Sequence, residues 1–263
     1  MAFIVHQVRL FFIALQFFTR LPIPRWVGFE PDWLHHASRY FPLVGSVVAT
    51  VTALVYLAAV QFWPAPVAVL LSTAAGIYLT GAFHEDGFAD MCDGFGGGMT
   101  RERVMEIMKD SRIGTYGAVG AGLLVALKCA LLSMMAPAAV ICALLLAHPL
   151  SRLAASSLIW KLEYARDEGK AKPLAQEMSG AEFGIGALCA AIPALYLGAL
   201  GYLSWLTIAA CVVCAAAAAV WLGAKCVARI GGYTGDCLGA VQQVSEVAIY
   251  LCLLASIGQG GWF

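Results

Sequence analysis

The 263 residues are 61% hydrophobic and 12% charged, with a mean hydropathy of +0.81, which excludes an ordinary soluble domain and points to a membrane. Lys and Arg number 16 and Asp and Glu 16, a formal net charge of +0, so there is no global positive field to attract nucleic acid. The nine cysteines lie mostly in apolar stretches where a thiol packs. Cys211 and Cys214 form a lone C-x-x-C without the further ligands zinc requires.

In chain order, Phe3 to Arg20 is apolar but carries His6, Arg9, Gln16 and Arg20, and it ends in Leu21-Pro22-Ile23-Pro24. That pattern predicts an N-terminal helix lying in the membrane interface rather than a cleaved signal peptide. About seven stretches then approach the roughly 20 apolar residues a crossing helix needs. They run from Pro42 to Trp63, Pro66 to Phe83, Ile113 to Met135, Pro137 to Trp160, Phe183 to Leu203, Leu206 to Cys226 and Leu238 to Ile257. The expectation is one all-α domain over residues 1–263, a polytopic helical bundle.

Basic residues sort between the connections. Arg9, Arg20, Arg25 and Arg39 precede the first span; Arg101, Arg103, Lys109 and Arg112 follow the second; Lys161, Arg166, Lys170 and Lys172 follow the fourth; Lys225 and Arg229 follow the sixth. The connections after spans three and five, and the tail from Gly258 to Phe263, carry none. With seven spans every charged connection falls on one face, which the positive-inside rule makes cytoplasmic, as in a bacterial-type inner membrane.

After span two the chain reads Gly81-Ala82-Phe83-His84-Glu85-Asp86-Gly87-Phe88-Ala89-Asp90-Met91-Cys92-Asp93-Gly94-Phe95-Gly96-Gly97-Gly98. If the helix continues, Asp86, Asp90 and Asp93 stand at i, i+4 and i+7 on one stripe. Like charges so placed repel and are costly to desolvate, so a neutralising cation is expected, and carboxylate oxygens suit Mg2+ or manganese. His84, nearly opposite Asp86 on the wheel, is expected to be structural or substrate-facing. The glycines, Gly96 and Gly97 among them, are expected to break the helix and free backbone N–H groups for a ligand. Beyond a short helix capped by Thr100, Lys109 and Arg112 flank Asp110. The two cations are candidate phosphate clamps and the aspartate a metal ligand or base.

Arg152, in His148-Pro149-Leu150-Ser151-Arg152, is a further cation within the fourth span. Before the last span, Gly231-Gly232-Tyr233-Thr234-Gly235-Asp236 again presents an aspartate at the membrane face, with Thr234 beside it as a substrate contact. Glu246 lies ten residues deeper, available to bind substrate, to pair with a buried cation such as Arg152, or to stabilise the bundle through hydrogen bonds to small-residue neighbours.

These segments resemble the cobalamin synthase family (adenosylcobinamide-GDP ribazoletransferase, or cobalamin-5'-phosphate synthase). The likeness runs through Gln16 to Pro24, Phe41 to Gly45, His84 to Gly98, Met108 to Gly117, His148 to Arg152 and Gly232 to Ala240. It implies the joining of α-ribazole or its 5'-phosphate to adenosylcobinamide-GDP with release of GMP. Asp90-x-x-Asp93-Gly followed by Asp110 is also similar to the aspartate signature of CDP-alcohol phosphotransferases, but lacks that signature's Ala-Arg pair and a fourth aspartate after Asp110. The metal set then comprises Asp86, Asp90, Asp93 and Asp110, with Asp93, Asp110 or Asp236 in catalytic roles. The remaining alternative from the residues, a cation-coupled transporter, would place its acids near the midplane and show repeated halves. Membrane lipid is an expected partner, and the sequence leaves room for a homo-oligomer.

Overall fold

A computed structural model describes residues 2–165 and 177–257. Arg166, Lys170, Lys172 and the tail from Gly258 lie outside the described residues. The elements are α1 (Ala2–Phe18), a 3-10 turn (Arg25–Val27), α2 (Pro31–Ala37), a second 3-10 turn (Ser38–Tyr40), α3 (Phe41–Ala59), α4 (Ala65–Thr80), α5 (Phe83–Gly97), α6 (Arg101–Ile107), α7 (Thr115–Ser133), α8 (Pro137–Lys161), α9 (Gly180–Ala199), α10 (Trp205–Ile230) and α11 (Gly235–Ile257). Among the described residues the only extended pairing is an isolated bridge between Tyr164 and Tyr233. It ties the end of α8 to the turn that opens α11.

Six helical stretches are long and apolar enough to cross a bilayer: Trp33–Ala59, Thr115–Ser133, Pro137–Lys161, Gly180–Ala199, Trp205–Ile230 and Gly235–Ser256. The seventh differs from the expected straight span. At 16 residues, α4 is about 24 Å long, short of a hydrocarbon core of about 30 Å, and the chain then turns by 87° into α5. The turn is made by Gly81 (φ 67°) and Ala82 (φ 60°), two successive left-handed residues that end α4. Ala82 is the sole positive-φ residue other than glycine among the described residues. The segment after α1 braces the bend: the Arg20 N–H donates to the Leu79 carbonyl at 2.8 Å, and its guanidinium lies 4.9 Å from the centre of the Tyr78 ring.

The inner helices are α8 and α11, the most buried spans, with α3, α5, α7, α9 and α10 around them. Leu123, Leu188, Ile192, Val213 and Val220 point outward from α7, α9 and α10, as lipid-facing positions do. Close approaches explain the glycines. A Cβ on Gly45 of α3 would stand 2.6 Å from the His148 carbonyl oxygen and 2.8 Å from the Pro149 Cα of α8. A Cβ on Gly87 of α5 would stand 3.0 Å from the Asp236 Cα, and one on Gly239 of α11 would stand 3.0 Å from the His84 carbonyl oxygen. Helices α5 and α11 therefore touch backbone to backbone, running antiparallel as α5 climbs from within the bundle.

Candidate active site

The acidic stretch is helical throughout α5, so Asp86, Asp90 and Asp93 share one stripe as the spacing predicts. The expectation that the glycines break this helix is corrected. Gly94 and Gly96 lie inside it, and Gly97 is its last residue. The place of a side chain on Gly94 is taken by Met108, and on Gly96 by the Tyr116 ring, at 2.5 Å and 2.7 Å from a built Cβ. Here glycine admits neighbouring side chains rather than freeing N–H groups. The helix ends at Gly98, whose carbonyl and that of Phe95 accept from the Arg229 guanidinium at 2.5 and 3.1 Å. That cation satisfies carbonyls a helix leaves bare and complements its negative end.

The three aspartates have different surroundings. Asp86 is exposed and Asp90 half-buried, while Asp93 is buried. Both Asp93 oxygens accept backbone N–H groups at the start of α7, from Gly114 at 2.7 Å and Gly117 at 2.8 Å. Asp93 thus caps a neighbouring helix across space and joins α5 to α7. Asp110, on the loop before α7, accepts from Arg112 through side chain and backbone, the shortest contact being 2.7 Å. The Arg112 guanidinium holds the Asp110 carboxyl down at about 2. Lys109 is exposed beside them.

Asp236 stands in the first turn of α11, against Gly87 of α5. Thr234 differs from its expected role as a substrate contact. It is fully buried, its hydroxyl accepts the Cys237 N–H at 3.4 Å and donates to Asp236 Oδ2 at 3.2 Å. It starts the helix and holds the aspartate.

Beneath this acidic end lies a second, buried set of polar groups. Glu246 of α11 pairs with Lys128 of α7 at 2.8 Å, not with Arg152. It also accepts from Tyr250 at 3.0 Å and Gln242 at 2.6 Å. Lys128 donates to Gln243 at 3.1 Å, and Gln243 donates to Glu85 of α5 at 2.9 Å. Arg152 is buried and donates to the His148 carbonyl at 3.0 Å. His84 is buried and stacks on Phe18, centroids 5.4 Å apart at 12°. Lys128 and Glu85 of this network carry no role in the sequence analysis above. A single lysine between Leu127 and Cys129 in an apolar span was the available signal.

The fit to magnesium rests on the donors present. Asp86 and Asp90 are one turn apart on α5 and Asp236 opens the adjacent α11, all hard oxygen donors. Among the described residues no three or more His, Cys, Asp or Glu side chains gather as a group able to hold an ion. Magnesium commonly takes one or two carboxylates and completes its shell with water and substrate phosphates. The carboxylates suit an ion shared with a diphosphate. Asp93 and Asp110, expected as ligands, have their oxygens turned to Gly114, Gly117 and Arg112.

Fold and site together define a multi-pass helical membrane protein with a carboxylate face at one end of its bundle and a charged network below it. The cobalamin-5-phosphate synthase family model matches residues 10–254, and the chain belongs to that family. It is 47% identical over 272 residues to the adenosylcobinamide-GDP ribazoletransferase of Leptothrix cholodnii, covering 100% of both chains. It is 46% identical over 260 residues to that of Ralstonia nicotianae, with 97% and 98% covered, and 45% identical over 257 residues to that of Shewanella frigidimarina, with 95% and 96% covered. No solved structure matches the chain.

Proposed function

We propose that this protein joins α-ribazole or its 5'-phosphate to adenosylcobinamide-GDP, releasing GMP, as a magnesium-dependent transferase of late cobalamin synthesis. The observation that carries the reading is the convergence of α5, the α6–α7 loop and the start of α11. It brings three kinds of group to one end of the bundle: carboxylates at Asp86, Asp90 and Asp236, cations at Lys109 and Arg112, and an anchored cap at Asp93. The near full-length likeness to named ribazoletransferases supports the choice of substrates.

In the reaction a ribazole hydroxyl attacks the phosphorus attached to the cobinamide arm. The new P–O bond forms as the bond to the bridging oxygen of GMP breaks, and GMP departs with that oxygen. Asp86 and Asp90 are the residues to hold Mg2+, which when bound neutralises charge on the diphosphate. Lys109 and Arg112 grip phosphate oxygens; the Arg112–Asp110 pair is solvent-exposed, so exchanging carboxylate for phosphate costs little. Asp236 receives the hydroxyl proton. Such a reaction needs mainly positioning and electrostatic stabilisation.

The bias of basic residues toward the charged connections supports placing this end at the cytoplasmic side of an inner membrane. The outward apolar faces of α7, α9 and α10 meet lipid, and a homo-oligomer would use the same faces.

The test is nucleotide release by the full-length protein in liposomes supplied with adenosylcobinamide-GDP and α-ribazole. Magnesium-dependent GMP with a cobalamin product, lost in Asp90→Asn, is the expected result. A folded protein that releases no GMP, or that releases CMP from a CDP-alcohol donor, would overturn the assignment.

A further inference from the structure

Glu246 stands eleven residues into α11, about 16 Å along its axis, which is near the middle of a core about 30 Å thick. Around it lies a small, partly open pocket of about 30 Å³, lined by Glu85, Lys128, His148, Arg152, Gln242 and Glu246 among others. Three buried polar atoms on this lining have no hydrogen-bond partner, Glu85 Oε2, Arg152 Nε and Gln242 Oε1, while His148 Nδ1 makes no hydrogen bond but lies 3.5 Å from Glu246 Oε2. Each of the three leaves an unmet desolvation cost of about 1–3 kcal/mol, more for the charged groups. Such a concentration at one place calls for an occupant.

The lining limits what that occupant is. The volume admits one or two water-sized groups. Arg152 Nε offers a hydrogen, whereas Glu85 Oε2 and Gln242 Oε1 accept one, so the occupant both donates and accepts. Lys128 and Arg152 balance Glu85 and Glu246, so no counter-ion is required. A metal cation is opposed by the two basic groups, and an anion by the two carboxylates.

We infer that this pocket is a hydration site within the bundle, where one or two ordered waters bridge Glu85, Arg152 and Gln242 and tie Arg152 into the continuous Glu246–Lys128–Gln243–Glu85 chain. The network joins α5, α7, α8 and α11 at mid-membrane depth. It gives α5 a polar footing where the helix begins inside the bundle, directly below Asp86.

Hydroxyl-radical footprinting of the full chain in lipid nanodiscs tests this, because radicals generated from trapped water label the side chains that touch it. Tyr250 lines the pocket, whereas Tyr233 is equally buried and does not line it. Tyr250 is expected to be labelled several-fold more than Tyr233, and Gln242→Leu is expected to reduce the difference. Equal labelling of the two tyrosines in the folded wild-type protein would show the cavity dry and overturn the inference. The network is tested separately by heat resistance. Lys128→Met and Glu246→Gln each strand a partner, so the double variant K128M/E246Q is expected to lose less than the sum of the single losses; strict additivity would refute the coupling. Neither readout uses nucleotide release, so a failed transferase reading would leave this result standing.

Discussion

Replacing Asp93 by asparagine separates two roles that a carboxylate in an acidic stripe is able to play. In the structure both of its oxygens are taken by N–H groups of Gly114 and Gly117, at 2.7 and 2.8 Å. Asparagine keeps one acceptor and turns its NH2 toward the other N–H, so one charge-assisted bond is lost, about 1.5–3 kcal/mol. The favourable meeting of a negative charge with the positive end of α7 goes too, about 0.3–1 kcal/mol at an exposed site and up to about 2 kcal/mol when partly buried. The sum is about 2–5 kcal/mol. By the scaling for soluble domains of comparable size this lowers Tm by roughly 4–20 °C. The assay is thermal unfolding in detergent run beside GMP release, with Asp86→Asn as the comparison because Asp86 is exposed and lies outside the α7 cap. Asp93→Asn should lose stability and activity together, while Asp86→Asn should lose activity at an almost unchanged Tm. An Asp93→Asn protein as heat-resistant as the wild type yet inactive would refute the cap and return Asp93 to the metal shell.

Other positions give sharp expectations. Gly45→Ala places a methyl 2.6 Å from a backbone oxygen of α8, which no rotamer change relieves, so a loss of about 1–3 kcal/mol or more is expected in the same unfolding assay. At Ala82 (φ 60°), glycine removes a left-handed penalty of about 1–2 kcal/mol and adds about 0.5–1 kcal/mol of chain entropy. Ala82→Gly is therefore neutral to slightly stabilising and Ala82→Val destabilising; the reverse order would refute the bend. Asp110 is lowered from 3.8 to about 2. The stabilisation from its Arg112 pair is thus complete above 3.8 and disappears as pH falls through about 2. Over about pH 5 to 9 its charge is constant, so Asp110→Asn should lower the rate without moving the acid limb of the pH–rate profile. A displaced limb would show that Asp110 titrates during turnover.

The apolar lengths read from the sequence correspond to observed helices because length and hydropathy alone decide whether a segment is able to span a bilayer. The stripe of Asp86, Asp90 and Asp93 was equally legible, since it depends on helical spacing within a single element. What escaped depends on partners far apart in the chain. Gly94 and Gly96 read as a turn because glycine marks turns in isolation, yet Met108 and Tyr116 fill the space they leave. The 87° bend at Gly81 and Ala82 comes with no proline between Pro66 and the end of α5. For Glu246 the sequence offers Arg152 as one candidate partner because both are charges in apolar helices, whereas the packing of α7 on α11 brings Lys128 to it instead.

The Lys128–Glu246 pair also bears on how the protein is made. Its lysine enters the bilayer with α7, while the α11 groups that receive it follow in synthesis, with 115 residues separating Lys128 from Gln243. At about 5–20 residues per second that interval is roughly 6 to 23 s, during which a lone cation at a helix centre costs about 2.5–3.5 kcal/mol on the insertion scale. The nascent chain therefore depends on its last helix to make an earlier one comfortable in lipid. A ribosome that stalls before α11 leaves a product in which the Lys128 ammonium lacks the Glu246 carboxylate it pairs with in the folded chain.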